Sequence, residues 1–203
     1  MIIWLNGAFG AGKTTTAYEL QRYLPNSFIY DPENIGYFLR KNIPSQCDSA
    51  DFQDIPLWRS FNYDTLKLIA ATYPGTVIVP MTLVSRRYYE EIIGRLQAEG
   101  VQVRHFILYA SRETILKRLR LRTLWLNTLR RESFAISAIP RCLDFFDNQV
   151  TEIKILTDDM TVDQVVASVA DKSGLSLTAN SDGFLKKAYR RLRVSLSHIR
   201  ILL

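Results

Sequence analysis

Residues 7 to 14 read Gly7-Ala8-Phe9-Gly10-Ala11-Gly12-Lys13-Thr14, which fits the phosphate-loop pattern G-x-x-x-x-G-K-[ST] at every fixed position. Such a loop works only between a buried strand and a helix. Met1 to Leu5 is a short apolar run suited to the strand, and Thr15 to Leu24 reads as the helix. Glycines let the backbone wrap close to phosphate oxygens, where a Cβ would collide. Backbone N–H groups and the helix N-terminus supply partial positive charge. The pattern implies that Gly7, Ala8, Phe9, Gly10, Ala11, Gly12, Lys13, Thr14 and Thr15 bind Mg-ATP. Lys13 then reaches the β and γ phosphates, and the Thr14 hydroxyl ligates Mg²⁺.

At 203 residues the chain suits one α/β domain with a real core. No apolar run approaches the roughly 20 residues that span a bilayer. The N-terminus lacks the basic stretch and long apolar stretch of a secretion signal, so the expectation is a cytosolic protein. Cys47 and Cys142 lie far apart without metal spacing and read as free thiols. His105 falls in a strand-like segment and reads as structural.

Beyond the loop, strands and helices alternate. Strands are expected at residues 27 to 30, 76 to 79, 103 to 109 and 153 to 156. Helices are expected at 35 to 41, from Pro56 to Thr72, at 85 to 99, from Ser111 onward, and from about 161 to 173. Residues 42 to 55 look like a loop. Within the Pro56 helix, Trp58, Phe61, Thr65, Leu68, Ile69 and Thr72 fall at helical spacing. Thr161 with Gln164 forms a capping box, and Gly174 stops that helix. The alternation predicts an α/β P-loop NTPase fold: five mostly parallel strands flanked by helices. Ligands of such sheets sit at the carboxyl ends of the strands.

Three candidate groups gather at those ends. Asp31 ends the second strand, read as lying beside the loop strand, with Glu33 two residues on. Its carboxylate suits a base for a substrate hydroxyl, or a holder of water on Mg²⁺. The strand Val77 to Thr82 carries no acid, although many phosphate-loop enzymes place one there. Asp31 is therefore the nearest supplier to the metal. Arg112, Lys117, Arg118, Arg120, Arg122, Arg130, Arg131 and Arg141 form a basic stretch after the fourth strand, where small-molecule kinases keep a lid. Arg118 and Arg122 are four apart on one helix face and are the expected catalytic pair beside Lys13. Arg59 is a further candidate to hold substrate, with Asp31 and Glu33.

The chain resembles the small-molecule kinases of the P-loop superfamily, and more closely the bacterial tunicamycin resistance proteins. The resemblance rests on Met1-Ile2-Ile3-Trp4, Asn6 to Gly10 with Gly12 to Thr14, and Tyr30-Asp31-Pro32-Glu33. It continues in Asp51-Phe52-Gln53, Pro56 to Arg59, Phe61-Asn62-Tyr63, Ile78 to Thr82, Glu91 to Leu96 and His198-Ile199-Arg200. It implies an ATP-binding protein, membrane-associated through its C-terminus, that protects a cell from tunicamycin, a uracil nucleoside with sugars and an acyl tail. It leaves open whether the drug is phosphorylated or only held. The match is weakest from Arg130 to Gln149.

Net charge is +6, and residues 181 to 203 carry most of it, with Lys186, Lys187, Arg190, Arg191, Arg193 and Arg200 against Asp182. The expected organisation is a kinase-like domain over 1–174, a linker over 175–183 and a basic amphipathic helix over 184–203. Leu185, Ala188, Tyr189, Leu192, Leu196, Ile199 and Leu203 recur at three- and four-residue steps. Such a helix either rests on an anionic membrane surface or docks on the domain with its charge in water. The reading is a kinase-like enzyme acting on a nucleoside antibiotic. Its rivals are an ATP-dependent binder that sequesters the drug and, third, a nucleic-acid-binding protein. The chain holds no recognised nucleic-acid motif, so no nucleic-acid partner is expected.

Overall fold

Every residue of β1 (Ile2–Asn6) is buried, as befits a strand covered on both faces. The computed structural model describes residues 1–126, 129–148, 152–179 and 182–197. β1 lies between β3 (Thr76–Pro80) and β4 (Val103–Tyr109). Outside these lie β2 (Ser27–Ile29) and β5 (Ile153–Leu156), giving the order β2-β3-β1-β4-β5 with every pair parallel. The strand ending at Asp31 is therefore not beside β1, as the sequence reading had it. β3 is buried at all five positions and fits the interior of the sheet. β2 keeps Phe28 exposed and fits the edge.

The helices are α1 (Lys13–Tyr23), α2 (Glu33–Asn42), α3 (Pro56–Thr72), α4 (Arg86–Tyr89), α5 (Arg95–Ala98), α6 (Arg112–Leu126), α7 (Leu129–Asn148), α8 (Val162–Ser173) and α9 (Phe184–Ser197). The expected loop before α3 contains two 3-10 turns, Ser45–Cys47 and Phe52–Asp54. The expected helix over 85 to 99 is interrupted by a π-helical segment, Glu90–Gly94, between α4 and α5. Thr161 and Gln164 cap α8 reciprocally, and Gly174 ends it at φ 69°. The long basic helix expected from Ser111 onward is described as α6 and α7, and α7 contains Pro140.

Alternate residues of β1 feed opposite faces of the sheet. Ile2 and Trp4 join Val77, Val79, Trp58, Leu66, Ile92 and Leu96 in one core. Ile3 and Leu5 join Phe106, Leu108, Leu20, Val166 and Val169 in the other. A third cluster at the carboxyl end sets Ala8 and Phe9 among residues of α6 and α7. In α3 the buried residues are Trp58, Arg59, Asn62, Tyr63 and Leu66. Phe61 and Leu68, which fell at helical spacing, are exposed. Arg59 and Asn62 take the inward places because their polar ends find partners there.

α9 rests against α1. Among its described side chains, Lys187 and Arg191 pair with Asp163 of α8 at 3.2 and 2.8 Å, and Arg191 lies 3.7 Å from Glu19 of α1. Tyr189 is 64 % exposed. Part of the tail's charge is thus held against the domain. Leu175 and Leu177 pack on the second core, and Thr178 hydrogen-bonds the Tyr23 carbonyl. The segment read as a linker is pinned at its start. Residues 198–203, with His198-Ile199-Arg200, lie outside the described residues.

Gly36 of α2 faces the Phe52 ring, and a Cβ built there would sit 2.5 Å from it. At an open helix position Gly→Ala adds about 0.5–1 kcal/mol of stability. Here the sign reverses. Gly36→Ala is expected to cost about 1–3 kcal/mol, read as a lower urea midpoint with an unchanged slope.

Candidate functional site

The loop between β1 and α1 is shaped by three glycines with positive φ: 144° at Gly7, 86° at Gly10 and 97° at Gly12. A Cβ on Gly7 would lie 2.5 Å from the Leu108 carbonyl of β4. Gly10 sits against Ile115 and Leu119 of α6. No side chain caps α1, and its first turn holds no acid. A concave glycine loop opening onto an uncapped helix N-terminus fits an anion. The Lys13 ammonium donates to the carbonyls of Gly7 (2.9 Å) and Ala8 (3.0 Å), so it lies folded over the loop. Thr14 and Thr15 follow in the first turn of α1, half-buried.

Asn6 ties the loop to the sheet. Its Oδ1 accepts the N–H groups of Gly7 (2.8 Å) and Leu83 (2.9 Å). Its Nδ2 donates to the Leu83 carbonyl (2.9 Å) and to His105 Nε2 (3.1 Å). With both lone pairs of the amide oxygen facing backbone donors, the amide orientation is fixed and Nε2 is the acceptor. The other ring nitrogen faces Glu152 Oε1 at 3.5 Å. His105 is thus structural, as its place in a strand implied. The Thr82 hydroxyl donates to the Gly7 carbonyl at 2.9 Å.

Arg118 of α6 reaches the loop from beside the carboxyl end of β5. It donates to the Thr157 carbonyl (2.7 Å), the Thr157 hydroxyl (3.1 Å) and, more weakly, the Ala11 carbonyl (3.4 Å). Burial holds its guanidinium below the ordinary value. The side chains of Arg122, Arg130 and Arg131 lie outside the described residues.

Asp31 stands half-buried past β2, where its Oδ1 accepts the Glu33 N–H at 3.0 Å as α2 begins. Glu33 accepts from the Tyr37 hydroxyl at 3.3 Å. Next to Asp31, burial pushes the Tyr30 hydroxyl up to about 12. Arg59 is placed differently from the loop group. It is 2 % exposed, pairs with Glu91, donates to the Gln53 carbonyl and lies over the Tyr88 ring. The π-helical segment carries Glu91 to that position. The structure joins Lys13, Thr14 and Arg118 around one loop and engages Arg59 in holding the 3-10 turn before α3. Sequence reading gave no role to Asn6 or Thr157 and placed Thr82 only at a strand end; position at a strand end was the available signal for all three.

Strand order, glycine loop and helix define a P-loop NTPase fold of the kinase-like kind. Residues 2–128 match the AAA domain family. The solved tunicamycin resistance protein of Deinococcus radiodurans is similar at 30 % identity and a TM-score of 0.71, over 88 % of this chain and 99 % of that one. A sugar kinase from Janibacter shares the fold at 17 % identity and a TM-score of 0.57, over 86 % and 95 % of the two chains. A gluconokinase from Sinorhizobium meliloti does so at 12 % identity and a TM-score of 0.54, over 97 % and 96 %. No curated protein sequence matches. On these matches the chain belongs to the tunicamycin resistance protein family.

The contact with His105 pulls the Glu152 carboxyl down from its ordinary 4.5 to about 2. A lowered folded-state value means that ionised Glu152 stabilises the fold above about 4.5, and that this contribution fades as pH falls toward about 2. Glu152→Gln is expected to remove that part of the acid limb. Urea midpoints measured from pH 6 to 2.5 should converge for the two proteins at the acid end.

Proposed function

We propose that this protein is an ATP-dependent phosphotransferase acting on a tunicamycin-like nucleoside antibiotic. The observation that carries the reading is the Lys13 ammonium lying inside a glycine loop at the uncapped start of α1, with Arg118 anchored beside it. Bound ATP with Mg²⁺ supplies the transferable γ-phosphoryl group. The hard oxygen of Thr14 suits Mg²⁺, and Asp31 offers a carboxylate to organise the water around it. Lys13 leaves the Gly7 and Ala8 carbonyls to hold phosphate oxygens. Arg118, with Arg122, balances the charge that builds during transfer. The loop amides Gly7 to Thr15 cradle the chain of phosphates. Asp31 takes the proton of the acceptor hydroxyl as that oxygen bonds phosphorus and the bond to the leaving ADP oxygen breaks. Glu33 borders the acceptor side. Arg59 acts on substrate through the turn it holds.

The second reading, drug held with ATP but not phosphorylated, has one observation in its favour. The Asp31 carboxylate already has a structural task at the start of α2. Drug-dependent ADP release, with a drug heavier by one phosphoryl group in the mass spectrum, is the expected result for a kinase. Lys13→Met should cut turnover by a hundredfold or more and Asp31→Asn by a similar factor. An unchanged drug with intact bound ATP would replace the kinase by the sequestering protein. Full turnover in Asp31→Asn would remove the base.

The same reading places the protein at an anionic membrane surface through residues 184–203. Among the described residues no helix is long and apolar enough to cross a membrane. α9 presents Tyr189, Lys186 and Arg193 outward. Co-sedimentation with anionic vesicles should exceed that with zwitterionic ones and fall with added salt. Equal sedimentation with both would remove the membrane from the reading.

A further inference from the structure

α7 passes over the phosphate loop, packing Ala135, Ile139, Cys142 and Phe146 in the cluster that includes Ala8 and Phe9. Pro140 lies inside this helix, and Arg141 follows it. Arg141 is 61 % exposed, and its guanidinium stands 3.5 Å from the carboxylate of Asp51, which is 17 % exposed. That contact is long for a charge-assisted hydrogen bond and leaves most of the guanidinium fork open. Its partner is far better fixed. Asp51 Oδ1 accepts the Gln53 N–H at 3.0 Å and so starts the 3-10 turn. Arg59 then grips that turn through the Gln53 carbonyl and is itself held by Glu91. The buried thiol of Cys142, raised chiefly by burial, also feels Lys13, Arg141 and Asp51. Cys142 follows Arg141 in the chain and packs in the same cluster as Ala8 and Phe9 of the loop, so the Arg141–Asp51 pair lies near the loop.

This arrangement sets a loosely held cation against a rigidly held anion beside the cluster that packs Ala8 and Phe9 of the loop. A polyphosphate carries more charge than one carboxylate, and it meets the planar fork of arginine two-pronged. It competes well for Arg141 and poorly for anything that would move Asp51. Building on the nucleotide reading above, we propose that Arg141 is a phosphate-binding residue kept in reserve by Asp51. An incoming phosphate chain draws Arg141 off the carboxylate, while Asp51 stays in place as the cap of its turn. Asp51 is then a brake on nucleotide binding. A brace holding α7 to the turn would behave in the opposite way.

The two roles differ in sign. Mg-ATP affinity, measured by calorimetry with a non-hydrolysable analogue, tests them. Asn caps a turn as well as Asp does, so Asp51→Asn removes the charge and keeps the fold. Asp51→Asn is expected to tighten binding about fivefold, the upper range for an exposed ion pair. Arg141→Ala should weaken it by tenfold or more, and the double variant should match Arg141→Ala alone. Arg141→Gln, which keeps the length of the side chain, repeats the loss if the alanine variant folds poorly. Binding unchanged or weaker in Asp51→Asn would overturn the inference, as would unchanged binding in both Arg141 variants. A wild-type protein that binds no nucleotide would overturn the nucleotide reading itself, and this inference with it.

Discussion

Four hydrogen bonds converge on the carboxamide of Asn6, and the rest of the site is arranged around them. Through them the end of β1, the start of the loop, the chain leaving β3 and the interior of β4 share one small polar group. The group is buried, so breaking any one of these bonds leaves a polar atom without water to replace it. That penalty makes the loop's entry a fixed point. Gly7 then lies against the β4 backbone, and its carbonyl receives both Thr82 and Lys13. The lysine is thereby presented along the loop before any ligand arrives.

The chemistry of the loop was plain in the sequence because its demands are local. Positive φ asks for glycine, the anion asks for uncapped amides, and the strand and helix on either side announce themselves by period. The capping box of α8 was legible for the same reason. What was hidden depends on distant partners. Arg59 looks like a candidate for the crevice until Glu91 and the Gln53 carbonyl are seen around it. Apolar spacing along α3 named Phe61 and Leu68, whereas the helix turned inward the residues whose polar ends had partners. α7 and the Asp51–Arg141 contact join segments some ninety residues apart, which no period records.

The edge position of β2 alters how Asp31 is understood. One strand separates it from the loop strand, so the carboxyl end of β3 lies between Asp31 and the loop. That end carries no acid of its own, and it closes with Met81 and Thr82 tied to Trp4 and Gly7. The residues after β3 thus brace the loop, and the acid stands past the edge strand. Tyr30 beneath Asp31 is anchored to Asn62 of α3 at 2.8 Å, so the acid stands on a stiff base.

α1 is a rod of eleven residues, about 16 Å long at 1.5 Å per residue, with the phosphate loop at its head. Along its flank Glu19 receives the tail through Arg191, and near its foot Arg22 grips Asp182 at 2.8 Å. One short helix thus has two clients. A ligand at the head that altered the order of this helix would alter the tail's contacts with it as well. Linkage of this kind runs equally in both directions.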